Sequence, residues 1–212
     1  MCYVLAGAED GEDKDSKLPA ISSMMPRSKQ SKLPKEAREY IAQRARCRRR
    51  VPHYVMLMGL PGSGKSTFAR ALAASAPSEW TLVNQDRMGK KKCISLAGSN
   101  TGKKKRVILD RCHPTESERR EWYDIVGSPS RDDIALVYFA ASVDTCIERV
   151  KRRTNHETIP EGKGERIVRC VAKTLQAPTD EEKCKVFGIV EVVRTFEESN
   201  ALLYRWGVND LP

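Results

Sequence analysis

The sequence predicts an α/β fold in which a five-stranded parallel sheet carries helices on both faces. Two observations carry this expectation. Five short apolar runs alternate with helix-forming segments along residues 54–206, the pattern of successive strand–helix units. The first run leads at once into Gly59-Leu60-Pro61-Gly62-Ser63-Gly64-Lys65-Ser66-Thr67, which is G-x-x-x-x-G-K-[ST] without a mismatch. Strand, glycine loop and helix in that order specify the P-loop NTPase fold, here with a small lid at about residues 153–164.

The elements follow in chain order. Tyr54–Met58 is apolar throughout, as expected of a buried strand. In the loop, Gly59, Gly62 and Gly64 free the backbone so that successive N–H groups can wrap phosphate oxygens, with Pro61, Ser63 and Thr67 completing the cradle. Lys65 brings a positive charge to the β- and γ-phosphates, Ser66 offers a hydroxyl to Mg²⁺, and the helix running on through Thr67–Ala73 points its positive end at the anion. Pro77 and Ser78 mark a turn. Trp80–Asn84 reads as a second strand ending at Gln85-Asp86, followed by a short basic helix over Met88–Ala97 and a loop over residues 98–105. Arg106–Leu109 is a third strand ending at Asp110. A helix over Thr115–Val126 opens with a Thr115/Glu118 capping box. Ile134–Phe139 is the fourth strand, and Val143–Arg153 a helix capped by Ser142. Residues 154–164, with Pro160, Gly162 and Gly164, suit a mobile segment, and Glu165–Leu175 is a further helix. Val186–Val193 holds the fifth strand. A last helix starts at Thr195, with Glu198 in a second capping box, and ends near Trp206-Gly207.

In such sheets the ligand lies beyond the carboxyl ends of the strands. Three strands end there in informative residues: the P-loop, Asp86 and Asp110. A carboxylate at Asp86 is placed to accept a proton from a hydroxyl acceptor, with a helix cap as the alternative role. Asp110, ending an apolar strand, is placed as the acid that helps to hold hydrated Mg²⁺, with a turn or cap as the alternative role. Arg149, Arg152 and Arg153 precede the mobile segment, where a guanidinium can neutralise charge developing on a triphosphate, or simply form a solvated face. Arg87 and Lys90 follow Asp86 and suit an acceptor phosphate.

The 212 residues carry a net charge of +10, unevenly placed. Residues 1–26 hold two basic and five acidic side chains, residues 27–50 ten basic and two acidic, and residues 51–212 twenty-six basic and twenty-one acidic. The expected organisation is a disordered tail over 1–34, a basic helical arm over 35–50 and the P-loop domain over 51–212. Such an arm favours an acidic partner such as nucleic acid, or acts as an import signal or solvated tail. Seven cysteines without a C-x-x-C pair argue against a disulfide framework or zinc site and for a reducing compartment. No apolar stretch approaches the roughly 18–20 residues of a spanning helix, and no clear signal peptide opens the chain. The expectation is a soluble protein of the nucleus or cytoplasm with no membrane partner.

Gly59–Thr67, Val83-Asn84-Gln85-Asp86-Arg87-Met88-Gly89, Ile108–Arg111, Arg119 with Trp122, and Arg149-x-x-x-Arg153-x-x-His156-x-Thr158 resemble, in order and spacing, the P-loop domain of polynucleotide 5′-kinases. Pro178 followed by Phe187 resembles the end of that domain, so the likeness covers about residues 54–194. It implies ATP-dependent phosphoryl transfer with Mg²⁺ to the 5′-hydroxyl of DNA or RNA ends in repair or processing. Lys65 is then the phosphate lysine, Ser66 and Asp110 the metal side and Asp86 the general base. Arg153, or failing that Arg149, is the lid arginine, and Arg87, Lys90 and Arg119 bind substrate. His113 stands where many members have Asn, and Arg111-Cys112 where repair kinases have Thr or Asn, which bears on acceptor choice. With neither an Asp-x-Asp-x-Thr nor a His-x-His-x-His motif, any phosphatase or ligase activity is expected on a separate chain. The nucleotide is ATP or GTP. Two rival readings are a sugar or nucleoside kinase and an inactive, nucleotide-gated nucleic-acid-binding module; joint retention of Lys65, Ser66 and Asp86 argues against the second rival.

Overall fold

A computed structural model describes residues 51–99, 105–152 and 162–208, all within one compact unit spanning Cys47–Pro212. The tail, the basic arm, Arg153 and most of the expected lid lie outside the described residues.

Five strands form one sheet: β1 Tyr54–Gly59, β2 Trp80–Asn84, β3 Arg106–Asp110, β4 Ile134–Phe139 and β5 Ile189–Val193. Their order is β2-β3-β1-β4-β5, and every pairing is parallel. Because strand side chains alternate, β1 feeds two cores. Val55 and Leu57 pack with Phe68 and Leu72 of helix α1 (Lys65–Ser75) and Leu202 of the last helix, α8 (Phe196–Arg205). Tyr54, Met56 and Met58 pack on the other face with Cys93 of α3 (Lys90–Ser99) and Trp122 of α4 (Glu116–Ile125). All six residues of β1 are buried, which is why the run reads as continuously apolar. A third, small core joins Leu60 of the P-loop to α5 (Val143–Arg152) and α6 (Gly164–Thr174) through Cys146, Val150 and Val168.

This strand order places a switch point at the carboxyl ends of β1 and β3. The connection leaving β1 crosses to β2 on one side, whereas that leaving β3 crosses to β4 on the other. The two crossovers part there and open a crevice.

Three local expectations are corrected. The helix expected over Met88–Ala97 is two helices, α2 (Gln85–Met88) and α3, because Gly89 at φ +75° breaks the run and Asn84 caps a turn at Gln85. The fifth strand starts at Ile189, three residues later than expected. Val186 and Phe187 instead close a helix not expected from the sequence, α7 (Asp180–Lys185), each donating its N–H to Glu182 O at 2.9 Å. The two expected capping boxes form by half: Thr115 accepts the amide of Glu118 and Thr195 that of Glu198, both at 3.2 Å. The reciprocal carboxylates go elsewhere, Glu118 to Arg111 at 3.8 Å and Glu198 to the amide of Arg194 at 2.6 Å. The complete box is Thr179/Glu182 at α7.

Candidate active site

The P-loop is shaped by close approach. A Cβ on Gly62, at φ +83°, would stand 2.6 Å from Cys146 O and 2.9 Å from a Val150 methyl, so only glycine lets α5 lie against the loop. A Cβ on Gly59 would meet Phe139 O at 2.6 Å. The amide of Gly59 donates to Cys112 O at 3.0 Å, fastening the loop to the segment after β3. Helix α1 begins at Gly64, φ +108°, with no side-chain cap, so its first N–H groups and the positive helix end face the loop.

Lys65 is 6% exposed. Its ammonium donates to Gly59 O at 3.0 Å, Leu60 O at 2.7 Å and Ser63 Oγ at 3.4 Å, matching its three protons with three acceptors. A positive charge is thereby held inside the loop by neutral oxygens and, among the described residues, is paired with no carboxylate.

Asn84 and Asp110 are register partners at the ends of β2 and β3, so their side chains project on the same side. Ser66 Oγ donates to Asp110 Oδ1 at 3.2 Å, and Asn84 Nδ2 to Asp110 Oδ2 at 2.6 Å. A hydroxyl and a carboxylate, both hard oxygen donors, thus converge beside the loop. Among the described residues no group of three or more His, Cys, Asp or Glu side chains could cage a metal. Two protein oxygens suit Mg²⁺, which keeps several waters and takes its other ligands from phosphate.

Asp86 is exposed on α2, two residues beyond Asn84, and Arg87 is exposed beside it. The amide of Arg87 donates to Asn84 Oδ1 at 3.1 Å, which sets where this turn begins. Arg149 is exposed on α5, the helix that touches Gly62. Pro61, Ser63 and Thr67 lie in the loop and at the start of α1. The structure therefore gathers Lys65, Ser66, Asp110 and Asp86 at neighbouring strand ends, with Arg149 flanking the loop.

Two expected substrate contacts stand differently. Lys90 forms an ion pair with Glu121 at 2.8 Å on the surface. Arg119 is 1% exposed and points into the protein. Its Nε and Nη2 grip Glu182 at 2.7 Å each, and Nη1 donates to His113 O at 3.2 Å and Gln176 O at 3.1 Å. A guanidinium so engaged ties the segment after β3 to α7 and has no face turned to the cleft. A concavity of about 250 Å³ borders it, lined by Glu116, Arg120, Glu181 and Lys185 and by none of the P-loop residues. It lacks the phosphate cradle and is not the candidate site.

Asn84 has a place in the site that its sequence motif does not assign; the cue is an amide one residue past an apolar run, beside a second strand ending in Asp. His113 is buried behind the site at φ +42°, with Nδ1 2.6 Å from Leu57 O. Burial, outweighing the hydrogen bond to Leu57 and helped by Arg111 and Lys65, lowers its pKa to about 3. It is therefore neutral, with Nδ1 protonated and donating.

A family model described as an AAA domain matches residues 55–178. The chain is 33% identical over 109 residues to transcription factor bHLH140 of Arabidopsis thaliana, covering 49% of this chain and 12% of that protein. It is 42% identical over 72 residues to the bifunctional polynucleotide phosphatase/kinase of Schizosaccharomyces pombe, covering 34% of this chain and 17% of that protein. The match thus spans less than a fifth of either relative. A crystal structure of fungal RNA kinase superposes with a TM-score of 0.57 at 16% identity, covering 77% of this chain and 92% of that one, and shows the same fold.

Proposed function

The chain belongs to the AAA domain family and has the P-loop kinase fold, and from this premise we propose that it transfers the γ-phosphate of ATP to the 5′-hydroxyl of a DNA or RNA end. The observation that carries the reading is the placement of Asp86 two residues beyond Asn84, in the turn capped by Asn84, which itself holds Asp110. A carboxylate free to face solvent then stands beside a phosphate loop and a metal-holding acid. The polynucleotide class of acceptor is supported by the relative from Schizosaccharomyces pombe and by the basic charge of the chain.

In this reading the loop amides and Lys65 bind the β- and γ-phosphates. Ser66 and Asp110 hold Mg²⁺, whose charge offsets that of the phosphate oxygens. Asp86 orients the acceptor hydroxyl and accepts its proton as the hydroxyl oxygen bonds to the γ-phosphorus. The bond from that phosphorus to the β-phosphate bridging oxygen breaks, and ADP carries away the electron pair. Arg149, together with Arg153, neutralises the charge that develops on the transferred group. Arg87 lies where it can meet an acceptor phosphate.

The test is transfer of label from γ-labelled ATP with Mg²⁺ to 5′-hydroxyl DNA and RNA oligonucleotides. Wild-type transfer that Asp86→Asn lowers by roughly 100-fold or more supports the reading. The better acceptor separates DNA from RNA. A wild-type protein that binds ATP and labels neither acceptor overturns it and returns weight to a metabolite kinase or a binding module.

A further inference from the structure

Asn84 is 8% exposed and uses both ends of its amide. The Nδ2 end donates to Asp110 Oδ2 at 2.6 Å, and Oδ1 accepts from the amide of Arg87 at 3.1 Å. Only one orientation allows this, because a carboxylate solely accepts and a backbone N–H solely donates. Ser66 takes the other oxygen of Asp110 at 3.2 Å, so the carboxylate is gripped on both sides. The second grip reaches α2, a four-residue helix with no buried residue, which carries Asp86 in its first turn. Met88 at its far end is partly buried against the core, and the Asn84 cap fixes its start, the end that carries Asp86.

We propose that Asn84 is a positioning residue that couples metal retention at Asp110 to the ordering of the turn bearing Asp86. The inference rests on the kinase reading of the site and is independent of which acceptor is used. An ion drawn to Asp110 pulls on a carboxylate whose other partner caps α2, so metal and turn stabilise each other through one side chain.

The test separates the metal from the nucleotide. Asn84→Ser keeps a hydroxyl that can cap α2 but is one atom too short to reach Asp110 as well. Its affinity for ATP with Mg²⁺ is expected to fall about 10- to 100-fold, the usual effect of losing a partner of a metal ligand, while affinity without Mg²⁺ changes by less than about two-fold. Adding Asn84→Ser to Asp110→Asn should then produce little further loss, because both act on one contact. Hydrogen exchange in the wild type supplies a readout that needs no variant: Mg²⁺ added to the ATP complex should slow exchange at residues 85–89. Asn84→Ala, which removes cap and tether, should abolish that slowing. Equal weakening with and without Mg²⁺, additive losses in the double variant, or wild-type exchange at 85–89 indifferent to Mg²⁺ would each overturn the proposal. None of these readouts uses an acceptor, so a failure of label transfer leaves the coupling through Asn84 standing.

Discussion

Gly62 shows how much one missing Cβ decides. At φ +83° and 2.6 Å from a backbone carbonyl, an added methyl has neither an allowed conformation nor space. Gly62→Ala should destabilise the domain by about 1–3 kcal/mol and weaken ATP binding at least ten-fold, read by urea melts and a nucleotide titration. His113 makes a second residue-scale prediction. Its pKa is lowered from 6.5 to about 3 by burial, so the folded protein resists the proton that the unfolded chain accepts. Stability is complete above pH 6.5 and falls below it, with a limiting slope of about 1.4 kcal/mol per pH unit until pH nears 3. His113→Asn, which tolerates the left-handed backbone, should flatten that slope in melts between pH 7 and 5. The sequence displays His113 but not its enclosure by Leu57 and Trp122, which come from two other elements.

At the scale of elements, α7 and the Arg119–Glu182 pair are what the sequence does not reveal. The segment 175–186 has no apolar period, so a six-residue helix there is legible only through its Thr179/Glu182 box. Its anchor is a charge from α4, sixty-three residues away. Burial works to raise the pKa of Glu182, but hydrogen bonds from Arg119 and the amide of Thr179 outweigh it and hold the carboxyl below its usual value of 4.5. The stability this supplies is present above pH 4.5 and is lost as pH falls through the depressed folded value, a lower window than that of His113. Glu182→Gln should flatten the stability profile only in that lower window. Arg119→Ala leaves a buried carboxylate without its partner and should cost about 3–5 kcal/mol in a urea melt. If Arg119 acts through the fold alone, KM for an oligonucleotide acceptor stays unchanged in the molecules that remain folded; a raised KM would restore it to the acceptor site.

At the scale of the whole molecule the telling quantity is charge. With +10 overall and half of the excess before residue 51, concentrated in residues 27–50, a polyanionic acceptor should bind less tightly as salt rises, with a linear fall of log affinity against log salt. Deleting residues 1–50 should lower that slope; an unchanged slope would make the arm a bystander. Among the described residues no helix is long and apolar enough to cross a membrane. The sequence by itself determined the P-loop, all five strands to within a few residues and the fold class, because those signals are local: a glycine spacing, an apolar run, a cap. Only the tertiary structure decided what adjoins what. The order β2-β3-β1-β4-β5 sets Asn84 against one oxygen of Asp110 and Ser66 against the other, joining residues up to forty-four positions apart. The same packing turned Arg119 inward to Glu182, since a charge on one face of a helix acquires its partner from whichever element folds against that face.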